Sequence, residues 1–208
     1  MSDIDDLLDR LSADGAAPAT RHRLRFAWPL LAAIVVCAIG VSFVLDGAFA
    51  SVPRDGIGPM AVKWGFSLAL LLLSAVALWV LGKPGRRSRM AMALLTLPFV
   101  PVAALLAFEL SIAGPLIYGA TWAQCLAAMG IMSPLAFAGA MVAMRALAPT
   151  DLRRAGMVAG LFGGAVAMTA YAPFCPEHGM SYMVVFYCLP IAAMAAIGYA
   201  LGPRLLRW

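Results

Sequence analysis

Charged side chains are scarce in this sequence of 208 residues. Lys, Arg, Asp and Glu together make up 12% of it, whereas soluble domains carry about 25%. So few charges cannot cover a surface that faces water, which argues against a soluble globular domain. Hydrophobic residues reach 63%, against the roughly 45–50% of soluble proteins, and this indicates a surface that largely faces lipid.

Recognisable catalytic motifs are missing as well. The sequence has two histidines, His22 and His178, and its four cysteines form no C-x-x-C pair. It contains no Walker A loop, no H-E-x-x-H, no G-x-S-x-G and no G-x-G-x-x-G. We therefore expect neither an enzyme nor a resident cofactor.

Long apolar runs make up most of the chain. A helix needs about 20 apolar residues to cross a hydrocarbon layer about 30 Å thick. Six continuous runs reach this length, and they lack the alternating pattern of a membrane β-barrel. We predict an all-α polytopic membrane protein that crosses the lipid bilayer six times. The predicted spans are approximately residues 28–45, 64–81, 90–110, 122–147, 156–173 and 182–201.

The basic residues predict how these spans are oriented. All of the 15 Lys and Arg residues except Arg54 and Lys63 lie on one side of the six predicted spans. The positive-inside rule places that side in the cytoplasm, so both termini are expected to face the cytoplasm from a bacterial inner membrane. The net charge of +5 comes from short clusters between apolar runs, and we expect no direct binding to nucleic acid.

Residues 1–26 are predicted to be a cytoplasmic tail, separate from the transmembrane domain at 27–208. Four apolar residues recur at helical spacing near its start and define one face of a short amphipathic helix: Ile4, Leu7, Leu8 and Leu11. Aspartates fill the opposite face. A helix this short is marginal alone in water, so we expect its apolar face to bind a protein partner.

Small residues line one side of the fifth predicted span. The motif Gly156-x-x-x-Gly160, followed by Gly163 and Gly164, allows two helices to approach closely. We interpret this stripe as a helix-packing surface. Both packing within the chain and a homodimer through this span remain open at this point.

The cysteines are the chemical anomaly of the sequence. Cys125 is expected one turn inside the outer end of span four, and Cys175 in the outer loop after span five, so both lie on the same side. One interpretation is a structural disulfide or inert buried thiols. The other is a pair that is oxidised or transiently binds a soft metal ion, with His178 as a candidate third ligand. Cys37 and Cys188 are expected inside spans one and six.

Several motifs resemble one known family across essentially the whole chain. They are Trp122-x-x-Cys125-Leu126, Gly160-Leu161 with Gly163-Gly164, Tyr171 through Cys175-Pro176-Glu177, and the ending Gly202-Pro203-Arg204-Leu205-Leu206-Arg207-Trp208. This pattern is similar to the NrsF family of six-helix membrane anti-sigma factors. The resemblance implies a partner, an extracytoplasmic-function (ECF) sigma factor held at the membrane and released in a heavy-metal or oxidative stress response. It also implies that Cys125 and Cys175 are the sensor residues.

Two other functions are weighed against this one. A quinone-linked membrane thiol oxidoreductase would use a redox-active cysteine pair, but such proteins usually carry C-x-x-C. A small metal transporter would usually carry ionisable residues near the bilayer midplane, and the predicted spans have none there.

Overall fold

The computed structural model describes residues 19–83, 88–114, 119–147 and 149–207. These residues form an all-helical bundle without a strand, and six of the helices are long and apolar enough to cross a membrane. The prediction of an all-helical chain with six long apolar helices is therefore confirmed. The helix predicted around Ile4, Leu7, Leu8 and Leu11 lies outside the described residues.

The long helices are numbered 1 to 6 in chain order. Their bounds are Ala19–Val44 (helix 1), Gly58–Leu81 (helix 2), Ser88–Leu94 continued by Phe99–Ile112 (helix 3), Trp122–Arg145 (helix 4), Leu152–Tyr171 (helix 5) and Met180–Leu205 (helix 6). A single helical turn lies between helices 1 and 2, at Val52–Asp55, and a 3₁₀ turn follows helix 5, at Ala172–Phe174. We call the end of the bundle with Cys125 and Cys175 the thiol end, and the opposite end, with Arg145, the arginine end.

Several helices extend beyond the apolar runs that predicted them. Helix 2 begins at Gly58 rather than Trp64, with Pro59 in its first turn, where the missing proline N–H costs no hydrogen bond. Helix 5 begins at Leu152, and the Asp151 carboxylate caps it by accepting a 3.0 Å hydrogen bond from the Arg154 N–H. Lys63 consequently lies inside helix 2 and not in the preceding loop.

Helix 3 is interrupted in the middle. The chain leaves α-helical geometry over residues 95–98 and resumes it at Phe99. Pro98 has no N–H to donate along the helix, and its ring crowds the preceding turn, so a break here is expected. Pro101 lies in the first turn of the second segment, where a proline is tolerated.

Helix 5 lies at the centre and contacts helices 1, 2, 4 and 6. Its closest neighbour is helix 6, because a Cβ atom added to Gly156 would lie only 2.1 Å from the Gly198 carbonyl oxygen. On the other side, a Cβ added to Gly163 would lie 2.6 Å from the Ser133 carbonyl oxygen of helix 4. The packing interpretation of the glycine stripe is confirmed, and the contact is made within one chain. A homodimer would therefore need a different surface.

Candidate functional site

Cys125 and Cys175 meet at the thiol end of the bundle. Cys125 lies in the first turn of helix 4, and Cys175 directly follows the 3₁₀ turn after helix 5. Both are free thiols, with exposures of only 0% and 2%. They are close enough to interact electrostatically. The fold thus brings together two cysteines that are far apart in sequence, and it shields them from solvent.

The Cys125 thiol also contacts the backbone of helix 6. Its Sγ lies 3.5 Å from the Phe186 carbonyl oxygen and donates to it. In an α-helix this oxygen would accept from the residue four positions later, which is Pro190 and has no N–H. The surrounding segment, Val184–Cys188, is a π turn, a widened turn that often occurs at functional sites. Pro190 thereby leaves an acceptor that the thiol of helix 4 uses.

Three buried tyrosines surround the two thiols. Tyr171, Tyr182 and Tyr187 are all almost completely buried. The Tyr187 hydroxyl lies close to both thiols and interacts with them. Thiols are weak hydrogen-bond donors and acceptors. The two cysteines therefore lie among polar groups, unlike thiols in an ordinary apolar core.

Lys63 completes this cluster, which we call the thiol cluster: Lys63, Cys125, Tyr171, Cys175, Tyr182 and Tyr187. Its side chain is only 2% exposed, and Nζ donates a 3.0 Å hydrogen bond to the Cys175 carbonyl oxygen. The ammonium group also interacts with the Cys125 thiol. The sequence does not single out Lys63, because the apolar run starts at Trp64 and leaves the lysine in the loop before the predicted span. The signal that could have found it is Pro59, which marks the true start of the helix.

Two carboxylates tie the loops around the thiol cluster. Glu177 accepts a 2.8 Å hydrogen bond from the Ala120 N–H, which fixes the approach to helix 4. Glu109 of helix 3 accepts from the Met180 N–H, and from the N–H and hydroxyl of Ser181 at 2.9 and 2.6 Å. A carboxylate at a helix N-terminus pairs with N–H groups that have no partner in the helix and with the positive end of the helix dipole. Glu109 therefore fastens helix 3 to the start of helix 6.

His178 follows Cys175 closely and is bound by a carboxylate from another loop. Its Nε2 lies 3.0 Å from Asp55 Oδ2, which joins the loop after helix 5 to the short turn after helix 1. Within the described ranges, no group of three or more His, Cys, Asp or Glu side chains could hold a metal ion. Cys125, Cys175 and His178 therefore do not form such a group in this structure. The two thiols remain the candidate ligands for a soft ion, and a role of His178 as a third ligand stays a prediction.

The remaining cysteines occupy separate positions. Cys37 packs between helices 1 and 4, with its Sγ 3.8 Å from the Met132 carbonyl oxygen. Cys188 lies at the last position of the π turn and is 9% exposed. Cys37 thus lies along the helices, away from the thiol end, and serves as an internal comparison for the pair.

At the arginine end, helices 4 and 6 are joined a second time. Arg145, the last residue of helix 4, donates from Nε to the Leu205 carbonyl oxygen at 2.9 Å. Leu205 ends helix 6, so the arginine satisfies a carbonyl that has no partner within the helix. Beside it, the Arg153 guanidinium lies over the Tyr199 ring, 5.3 Å from its centroid. Helices 4 and 6 are thus linked at both ends of the bundle.

One known family matches nearly the whole chain, including both ends of the bundle. The sequence model of NrsF, described as negative regulator of sigma F, matches residues 11–208. The chain belongs to the NrsF family. The resemblance drawn from the motifs around Cys125 and Cys175 is thereby confirmed.

Two curated NrsF relatives support this assignment. The protein named probable anti-sigma-F factor NrsF of Azospira oryzae is 38% identical over 152 residues, which cover 71% of each chain. The protein named anti-sigma-F factor NrsF of Caulobacter vibrioides is 32% identical over 219 aligned positions, which cover 98% of this chain and 99% of the relative. No solved structure matches the chain.

Proposed function

We propose that this NrsF-family protein is a membrane anti-sigma factor that binds an ECF sigma factor and releases it when Cys125 and Cys175 react. The relatives' names supply the anti-sigma activity. The observation that carries the sensing step is the meeting of two free, buried thiols beside the buried Tyr187 hydroxyl. Soft metal ions prefer thiolate ligands, and oxidants act on the same groups. A protein of this kind acts by binding and release, in keeping with the prediction of a non-enzyme.

The proposed topology places the thiol end in the periplasm and the arginine end in the cytoplasm. Six helices of membrane-spanning length and the one-sided distribution of basic residues support it. The signal and the sigma factor are then on opposite sides of the inner membrane. The predicted tail, residues 1–26, is the proposed docking element, because the apolar face of Ile4, Leu7, Leu8 and Leu11 needs a partner to bury it.

A signal from the thiols can reach the arginine end through helices 4 and 6. Joining Cys125 to Cys175 would tie helix 4 to the loop between helices 5 and 6, and would alter the contact of the Cys125 thiol with Phe186. At the other end, a tilt between helices 4 and 6 would lengthen or break the hydrogen bond from Arg145 to Leu205. Moving the population from mostly bound to mostly released requires about 5 kcal/mol in favour of one packing.

The sensing step is tested with a reporter for the sigma factor's own promoter, with and without cadmium. We expect Cys125→Ser and Cys175→Ser each to abolish induction and to leave basal repression intact, because serine lacks the soft thiolate ligand. Cys37→Ser is the matched control, since it removes a buried thiol from helix 1, away from the sensor pair. Cadmium should induce the reporter normally in this variant. Normal induction in both sensor variants would disprove the sensing role and leave the anti-sigma activity standing.

The docking element is tested in the same reporter strain. We expect Leu7→Asp combined with Leu11→Asp to switch the promoter on without any inducer, because each charge loses its hydration in a buried apolar contact. Ala13→Asp combined with Ala16→Asp places the same charges in the adjoining segment and should keep repression. If the leucine variant still holds the sigma factor at the membrane with normal strength, the docking surface lies elsewhere.

A further inference from the structure

Lys63 is a charged group in a place that is costly for charge. Among the residues that the structure describes, it is the only charged residue that is fully buried. Removing an ammonium group from water is strongly unfavourable unless hydrogen bonds or an opposite charge compensate for the lost hydration. An ionisable residue buried within an apolar helix therefore marks a functional site more often than a packing position.

The Cys175 main chain explains what the lysine does there. The Cys175 N–H donates to the Ala172 carbonyl oxygen at 3.3 Å, and the Cys175 carbonyl oxygen accepts from Lys63 Nζ at 3.0 Å. Both backbone polar groups of this residue are thus engaged, one by the 3₁₀ turn and one by helix 2. Because the backbone sets the direction of the Cα–Cβ bond, holding both groups fixes the direction in which the thiol leaves the chain.

We propose that Lys63 is a positioning residue of the sensor, which holds the Cys175 main chain so that its thiol faces Cys125. The proposal rests on the proposed sensing function and assigns helix 2 a part in it. Lys63 binds no metal itself. It acts as the outer partners of metal sites do, by orienting a residue whose side chain is the ligand. Losing such a partner typically weakens metal binding by about 10- to 100-fold.

The test measures cadmium binding to the purified full-length protein in detergent, from the absorbance of the cadmium–thiolate bond. Lys63→Met keeps the length of the side chain but removes the donor, and should raise the half-saturating cadmium concentration by roughly tenfold. Lys63→Arg keeps a donor and should stay close to the parent value. Trp64→Phe is the matched control, because it removes another hydrogen bond from helix 2 to a backbone carbonyl, that of Thr169 at 3.2 Å.

Each outcome decides the proposal. An unchanged midpoint in Lys63→Met, or an equal shift in Trp64→Phe, would overturn the positioning role. If Lys63→Met yields too little protein, Lys63→Leu, which also lacks a donor, is measured instead with the same expected shift, and an unchanged midpoint again overturns it. Parent-like binding in Cys125→Ser and Cys175→Ser would instead refute metal sensing by the two thiols. Loss of binding in both of these, with a parent-like midpoint in Lys63→Met, would refute the positioning role alone.

Discussion

Helices 3 and 5 are both long and apolar, yet they occupy opposite places in the bundle. Along its apolar stretch, 78% of helix 5 is buried, against 17% of helix 3. Helix 5 is nevertheless the least hydrophobic of the six, and helix 3 is among the more hydrophobic. In the membrane proposed for this bundle, lipid is as apolar as leucine, so hydrophobicity would not drive one helix to the centre. Small residues that allow close packing do so instead.

The largest effect is expected where helix 5 meets helix 6. Gly156→Val should destabilise the protein by about 3 kcal/mol or more, because the new Cβ would lie 2.1 Å from the Gly198 carbonyl oxygen, and backbone atoms cannot rotate away. Thermal unfolding in detergent and the amount of protein in the membrane measure this. Gly130→Val in helix 4 is the control, since nothing lies within 4 Å of its added Cβ. Equal stability of the two variants would contradict the packing argument.

A smaller effect is expected where helix 3 is fastened to the start of helix 6. Glu109→Gln removes the charge that accepts hydrogen bonds from Met180 and Ser181, and should cost about 1–2 kcal/mol. Ser111→Ala is the control, because the Ser111 hydroxyl donates to the Phe108 carbonyl oxygen of its own helix and bonds to no other residue that the structure describes. Both are compared by thermal unfolding in detergent. If Glu109→Gln unfolds at the parent temperature, the carboxylate is not what fastens helix 3.

The smallest effect is expected on the outer face of helix 3. Phe108→Ala should change stability by no more than about 0.5 kcal/mol, because this ring is 65% exposed to the surroundings of the bundle. The same substitution in helix 5, Phe162→Ala, removes a ring that is 1% exposed and should cost about 3 kcal/mol or more. Similar unfolding temperatures for the two variants would show that burial does not separate these helices.

The sequence predicts the helices far better than their packing. Six apolar runs suffice to predict six helices, because length and continuity determine whether a helix can span a bilayer. The glycines of helix 5 predict a close contact, but nothing in them distinguishes helix 6 from a second copy of the chain. That distinction depends on Gly198 and Gly202 of helix 6, which lie directly against Gly156 of helix 5.

Of the candidate site, the sequence predicts only the two central cysteines. The topology and the family resemblance single out Cys125 and Cys175, and the structure brings them together. The apolar pattern does not point to Lys63, because the apolar run that predicts helix 2 starts only after it, at Trp64. His178 is a candidate third ligand by its place near Cys175, and nothing in the sequence predicts that its Nε2 contacts Asp55, 123 positions away. Long-range pairs of this kind leave no local pattern to read.

The π turn in helix 6 makes the length of this segment part of the site. Successive residues of an α-helix are about 100° apart around its axis. A π turn accommodates one additional residue within the helix, and Val184–Cys188 is such a turn. If the same residues were wound as a regular α-helix, Tyr182 would be rotated by about 100° relative to Gly198. The tyrosine would then leave the thiols while the contact between Gly156 and Gly198 stayed in place. The π turn therefore determines where Tyr182 lies, and a relative without this turn is expected to have one residue fewer between Cys175 and Gly198 if its tyrosine occupies the same place.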